Sequence, residues 1–199
     1  MADKELDQGK RRFLLTATGV AGGIATAAAA VPFVASMLPS ERAKAAGAPV
    51  EADIGRLVPG EKIIVEWRGQ PVWIVRRTPE MLDAVRRDDG KVADPKSERN
   101  KDLTPEYARN GYRSIKPEYL VVVGICSHLG CSPVDKFKPQ AEPFEHDWKG
   151  GFYCPCHGSL FDLAWRVYKN KPAPDNLPVP PYRFVSDTRL VIGEDTQGA

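Results

Sequence analysis

The sequence predicts a mainly β, antiparallel sandwich-type head carried on a single N-terminal transmembrane helix. Three observations carry this prediction: a charge-free run from Phe13 to Ser40, a series of short apolar or alternating segments after it, and the 18 prolines and 17 glycines, many beyond residue 130, that punctuate them. A chain of 199 residues holds one well-cored domain plus an appendage. The 28 Lys and Arg against 26 Asp and Glu leave a formal net charge of +2, which gives no basis for a nucleic-acid partner.

Residues 1–12, MADKELDQGKRR, form a polar start, and residues 13–38 read as the anchor. The charge-free run can cross a hydrocarbon core of about 30 Å at a rise of about 1.5 Å per residue. Its Gly and Ala content suits close packing with neighbouring helices, and Pro32 predicts a kink. A cleaved signal peptide competes, because Ala43-Lys44-Ala45 has the small-x-small form, but the run is about twice the length of a usual signal core. Asp3, Glu5 and Asp7 argue against an organellar transit peptide. KRRFLL, with Lys10-Arg11 or Arg11-Arg12 as the pair, resembles a twin-arginine export signal. Lys4, Lys10, Arg11 and Arg12 outnumber Arg42 and Lys44 beyond the helix, which predicts a cytoplasmic N-terminus and a head outside the cytoplasm.

Residues 39–50 are small, polar and without clear periodicity, so they read as a flexible hinge or tether; the head follows at 51–199. Ile63 to Val75 alternates around Arg68-Gly69-Gln70, a hairpin signal. Thr78-Pro79-Glu80 predicts a short helix to about Arg87, with Thr as N-cap and Pro at the first position. Thr104-Pro105-Glu106 repeats that start, with Gly111 as its stop. Between them RRDDGKVADPKSERNKD reads as a solvated surface loop. LVVVGIC predicts a buried strand delivering Cys126, GGFYC a second delivering Cys154, and YRFVSDTRLVIGE a hairpin turning at Ser186-Asp187-Thr188. Phe137, Phe144, Trp148, Phe152 and Tyr153 read as core.

Two blocks carry the chemistry, CSHLGC at Cys126 to Cys131 and CPCHGS at Cys154 to Ser159. Four cysteines in an exported domain would by default form two disulfides. The histidines argue otherwise, since Cys126-x-His128 and Cys154-x-x-His157 each put a thiolate and an imidazole on one tight loop, as convergence on a metal requires. Cys131 and Cys156 are left over, one per loop, and a disulfide between them would clamp the loops together. A zinc site remains open at this point, although zinc fingers usually take both sulfurs from one knuckle and both imidazoles from another.

The two blocks resemble the cluster-binding boxes of Rieske iron–sulfur proteins, and the resemblance extends from the N-terminal anchor to the Pro-rich segment KPAPDNLPVPPY at Lys171 to Tyr182. It implies a Rieske-type β-sandwich with a small cluster-binding subdomain at about 120–175, holding one [2Fe–2S] cluster. In that family two His replace two Cys on one iron. Carried over, Cys126 and Cys154 bind the inner iron, His128 and His157 the outer one, and Cys131 and Cys156 form the disulfide. His157 is then the group that hydrogen-bonds quinol and takes its proton and electron. Ser159, Phe161, Gly130 and Gly158 surround the cluster, while Leu129 and the loop Pro172-Ala173-Pro174 form the docking surface. His146 matches no motif position and reads as a surface imidazole.

The resemblance further implies a membrane-anchored subunit of a bacterial cytochrome bc complex, in the inner membrane with a periplasmic head. Its partners would be cytochrome b, a c-type cytochrome, ubiquinol and the lipid membrane, in a homodimer of heterotrimers. A small subunit of a periplasmic oxidase such as arsenite oxidase competes, but the Pro-rich segment and the spare cysteine pair favour the quinol system. The chain departs from the family at three positions. Phe161 stands where many members have a tyrosine that donates to a ligand sulfur; one lost hydrogen bond of about 1 kcal/mol predicts a potential lower by about 40 mV. Trp165 and Asn170 stand where the family has glycines; Asn tolerates positive φ, whereas Trp165 predicts a changed loop.

Overall fold

The computed structural model describes residues 7–195, and the chain divides into two compact units at Ala45. The N-terminal unit is helical. Its first helix, α1 (Gln8–Ser36), begins where Asp7 accepts hydrogen bonds from the backbone N–H of Gly9 at 3.0 Å and Lys10 at 3.2 Å, supplying the acceptor that a helix start requires. The helix thus starts ahead of residue 13, and Lys10, Arg11 and Arg12 lie in its first turns. It runs through Pro32, its side chains are exposed, and it is long and apolar enough to cross a membrane. The rest of the polar start, residues 1–6, lies outside the described residues.

Part of the expected tether is ordered. α2 (Glu41–Ala46) forms because Ser40 accepts from the Ala43 N–H at 3.2 Å and Lys44 pairs with Glu41 at 2.7 Å, within an Ala-rich run of high helix propensity. A short local helix therefore occupies residues 41–46 of the expected tether.

The second unit is mainly β, as predicted. Among the described residues nine strands pair antiparallel in three sheets of three. β1 (Val50–Asp53) pairs with β9 (Arg189–Ile192), and β9 with β8 (Tyr182–Ser186), which closes the C-terminal hairpin against the start of the head. β2 (Lys62–Trp67) and β3 (Gln70–Arg76) form the expected hairpin, and Arg68 and Gly69 both take positive φ, as a tight two-residue turn demands. β4 (Tyr119–Val123) adds to β3 and is buried throughout, which fits its uninterrupted apolar run. β5 (Val134–Lys136), β6 (Gly151–Cys154) and β7 (Ser159–Phe161) make the third sheet, which carries the second Cys/His block. α3 (Pro79–Arg87) is capped by Thr78, whose hydroxyl accepts from the Met81 N–H at 3.3 Å.

Two expectations fail for one reason. The segment 86–102 is not simply a solvated loop: Asp88, Val92, Asp94 and Ser97 are buried. Thr104 does not cap a helix either; only a 3₁₀ turn forms at Glu106–Ala108, and the Thr104 hydroxyl accepts from Arg113 at 2.9 Å. Buried arginines recruit both segments. Arg113 is fully enclosed and donates to Ser97, Thr104, Leu177 and the carbonyls of Ala164 and Trp165. Arg77 reaches the carbonyls of Tyr112, Pro117 and Leu163 and the Ser114 hydroxyl. Burial lowers Arg77 to about 10 and Arg113 to about 9, so both remain cations at neutral pH. Buried charge is tolerated only when its donors are met; the two segments contribute the Ser97 and Thr104 hydroxyls to Arg113, and carbonyls elsewhere in the head meet the other donors of Arg113 and most of those of Arg77.

Candidate metal centre

β4 ends at Val123, and Gly124 follows where any side chain would collide with Trp73: a Cβ would lie 2.2 Å from its ring. Glycine there lets the chain turn tightly into the first loop. The Cys126 N–H donates to the Cys131 carbonyl at 2.8 Å, and the Gly130 N–H returns to the Cys126 carbonyl at 3.1 Å. The second loop uses the same device, with the Gly158 N–H on the Cys154 carbonyl at 2.9 Å. Both glycines have positive φ, 81° and 76°, and open space where a side chain would stand, so conformation and not close approach requires them.

The loops are joined by a disulfide between Cys131 and Cys156. Cys126 and Cys154 are free and buried, whereas His128 is half-buried and His157 exposed. The two imidazoles meet edge to face, ring centroids 4.8 Å apart. The sulfurs of Cys131, Cys154 and Cys156 lie within 4.8 Å of one another, but the disulfide withdraws two of them from metal binding. That leaves the thiols of Cys126 and Cys154 as the two free sulfurs of these loops. Burial pushes the Cys126 thiol up, with a further push from Cys154, while the His128 backbone N–H and the Ser159 hydroxyl oppose it. An empty pocket would keep this thiol protonated; a cation between the loops would favour the thiolate. Two uncommitted thiols below and two imidazoles at the rim fit a mixed-ligand iron–sulfur cluster.

A third segment closes the other side. The Ser159 hydroxyl accepts from the Ala173 N–H at 3.0 Å, and the Ser127 hydroxyl donates to the Asp175 carbonyl at 2.6 Å. Leu129 is 71% exposed at the tip of the first loop, and Pro172 and Pro174 are exposed in the third segment. Ala173 is the exception, because its role on Ser159 buries it, so it offers no docking surface. The one sequence signal for the Ser127 tie is a hydroxyl between the Cys126 and His128 candidates. His146 is exposed, as expected.

Phe161 is fully buried. Trp165 holds the left-handed conformation at φ 58°, as the glycine it replaces would, and so does Asn170 at 57°. That conformation costs a non-glycine residue about 1–2 kcal/mol. Stacking offsets it: the indole lies 3.7 Å from Phe152 and is tilted against Trp73 at 5.1 Å and Phe161 at 5.5 Å. The turn thus keeps its left-handed shape.

Residues 105–182 match the family described as "Rieske [2Fe-2S] domain", and residues 1–40 match "Ubiquitinol-cytochrome C reductase Fe-S subunit TAT signal". The chain is 54% identical to the ubiquinol-cytochrome c reductase iron-sulfur subunit of Allochromatium vinosum, over 100% of this chain and 95% of that protein. The chain belongs to the Rieske iron–sulfur subunits of ubiquinol–cytochrome c reductase. A second subunit of that name, from Bradyrhizobium diazoefficiens, is 42% identical over 92% of this chain and 94% of its own length. A chain of the solved "Hyperthermophilic respiratory Complex III" overlaps 88% of this chain and 97% of its own length at 24% identity and a TM-score of 0.44. As a Rieske subunit of ubiquinol–cytochrome c reductase the protein carries a [2Fe–2S] cluster and serves quinol–cytochrome c reduction. The signal match and the apolar helix fit a membrane-anchored subunit of a bacterial complex.

Proposed function

We propose that Cys126 and Cys154 hold the inner iron of the cluster, and His128 and His157 the outer iron. When bound, the cluster supplies a one-electron acceptor that relays to a c-type cytochrome. The remaining chemistry belongs to the side chains. Neutral imidazoles in place of two thiolates make the site less negative, so an added electron is less opposed and the potential rises. His157, the more exposed of the two, meets ubiquinol at the outer quinol site of cytochrome b. Its ring nitrogen not committed to iron would face the quinol hydroxyl; when that nitrogen carries no proton of its own, it would accept the hydroxyl's hydrogen bond and then its proton. Leu129, Pro172 and Pro174 form an apolar collar that docks on cytochrome b and keeps water from the transfer. The Cys131–Cys156 disulfide fixes the two imidazoles side by side.

In this reading α1 lies in the bacterial inner membrane, with the N-terminus in the cytoplasm and the head in the periplasm. Residues 39–50 serve as the hinge on which the head moves between cytochrome b and the c-type haem, in a complex that is a homodimer of heterotrimers. The observation that carries the proposal is the pair of imidazoles, 4.8 Å apart at the rim above two buried free thiols. The test is pulsed EPR on the reduced protein purified in mild detergent. Two strongly coupled imidazole nitrogens are expected, one of them lost in His157→Cys together with quinol oxidation. A cluster with no nitrogen ligand, or His157→Cys with unchanged nitrogen couplings, would overturn the assignment.

A further inference from the structure

Trp165 has two features that a packing residue does not need. Its backbone is left-handed, and its indole Nε1, fully buried, has no hydrogen-bond partner among the described residues. The backbone is held on several sides. Its N–H donates to the Asp162 carbonyl at 3.0 Å, and its carbonyl accepts from the Leu177 N–H and the Arg113 guanidinium, each at 3.2 Å. A buried N–H without an acceptor is rare and calls for one that binding supplies.

Neither cysteine sulfur accepts from the indole as the chain stands, but the sheet register shows which face it shares. Phe152 and Cys154 alternate on β6 and so share one face, as do Phe161 and Ser159 on β7, and the register pairs Phe152 with Phe161 and Cys154 with Ser159. The Trp165 indole covers Phe152 and Phe161, and therefore lies on the face that carries the Cys154 thiol. Cys126 belongs to the same buried cluster of side chains. Once iron is bound, this face presents anionic sulfur, an acceptor suited to an indole N–H.

We propose that the Trp165 indole donates a hydrogen bond to a sulfur of the cluster on its cysteine-ligated side, and so tunes its reduction potential. The bond strengthens as the cluster gains negative charge, which favours the reduced state. It replaces the donor that Phe161 lacks. The inference rests on Cys126 and Cys154 as ligands but not on the quinol chemistry of His157.

The test uses the full-length holoprotein in detergent. Trp165→Phe keeps a ring in the stack and removes only the donor. Its equilibrium for reduction should weaken about fivefold, a fall of about 40 mV at 59 mV per tenfold. Trp67→Phe, which removes the other unpartnered buried indole N–H, beside Gly193, should leave the potential unchanged. In unsubstituted protein labelled with ¹⁵N-tryptophan, pulsed EPR of the reduced cluster should detect an indole nitrogen coupling that Trp165→Phe lacks. An unshifted potential in a Trp165→Phe protein that keeps its rhombic EPR signal overturns the proposal, and so does absence of any indole coupling in the labelled protein. The labelled protein decides alone if the variant fails to assemble. A preparation without any mixed-ligand signal would sink the ligand assignment itself.

Discussion

Replacing Asp162 with Asn tests whether the metal loops are held by a buried ion pair. One Asp162 oxygen accepts from the backbone N–H of Ala164 at 2.9 Å and Arg166 at 2.8 Å; the other accepts from the Arg166 guanidinium, also at 2.8 Å. Both side chains are essentially inaccessible to water. Arg166 also reaches Asp89 at 2.5 Å and the Val85 carbonyl at 2.6 Å, so it fastens α3 and the segment after it to the turn that follows β7. An asparagine oxygen can still accept the two backbone bonds, but its amide would face the guanidinium, donor against donor. Breaking a buried pair costs about 3–5 kcal/mol, and the surviving Asp89 contact argues for the lower end, about 3 kcal/mol. With a urea slope of about 2 kcal/mol per molar, the unfolding midpoint of the detergent-solubilised protein should fall by about 1.5 M, read from near-UV circular dichroism. Asp162→Asn with Arg166→Met removes both charges and should recover most of the loss. A single variant within about 0.3 M of the parent would refute the reasoning.

Two further outcomes follow from packing and from burial. Gly151→Ala should cost at least about 2 kcal/mol, because its Cβ would lie 2.2 Å from the Phe161 carbonyl oxygen at φ 152°; an unchanged urea midpoint would contradict that clash. Burial raises the Asp88 carboxyl above its ordinary range, against the opposing hydrogen bond from the Tyr168 hydroxyl at 2.7 Å. A raised pKa means that the folded head binds the extra proton, so this group makes stability fall as pH rises from the ordinary carboxylate range through the raised value. The difference in melting temperature between Asp88→Asn and the parent should therefore shrink as pH is lowered through that window, and a constant difference would count against burial as the cause.

Elements built from neighbours in sequence were legible before the fold was known. The β2–β3 hairpin, α3 with its Thr78 cap, β4 and the C-terminal hairpin each carry their signal within a few residues: alternation, a capping hydroxyl, or a continuous apolar run. α2 was missed although its signal is equally local, because Ala-rich small residues also read as a linker. The segment 86–102 was misread because charge density usually means solvation. Here Asp88 and Asp94 are buried, and Asp94 satisfies the Glu98 and Arg99 N–H groups. Thr104 has a cap signal, but Arg113 competes for its hydroxyl and wins.

By itself the sequence determined the chemistry on offer: two loops, each with two cysteines and an imidazole at fixed spacing, and a helix of membrane length. These are properties of short segments, and backbone geometry carries them wherever the segment lies. Only the tertiary structure decided that Ala173 is buried under Ser159, that Ser127 ties its loop to Asp175, and that Trp165 keeps a glycine's conformation by stacking on Phe152. Arg166 reaches a carbonyl 81 residues away. The energy of such a contact depends on which distant groups are desolvated together, and no local pattern of residues encodes that.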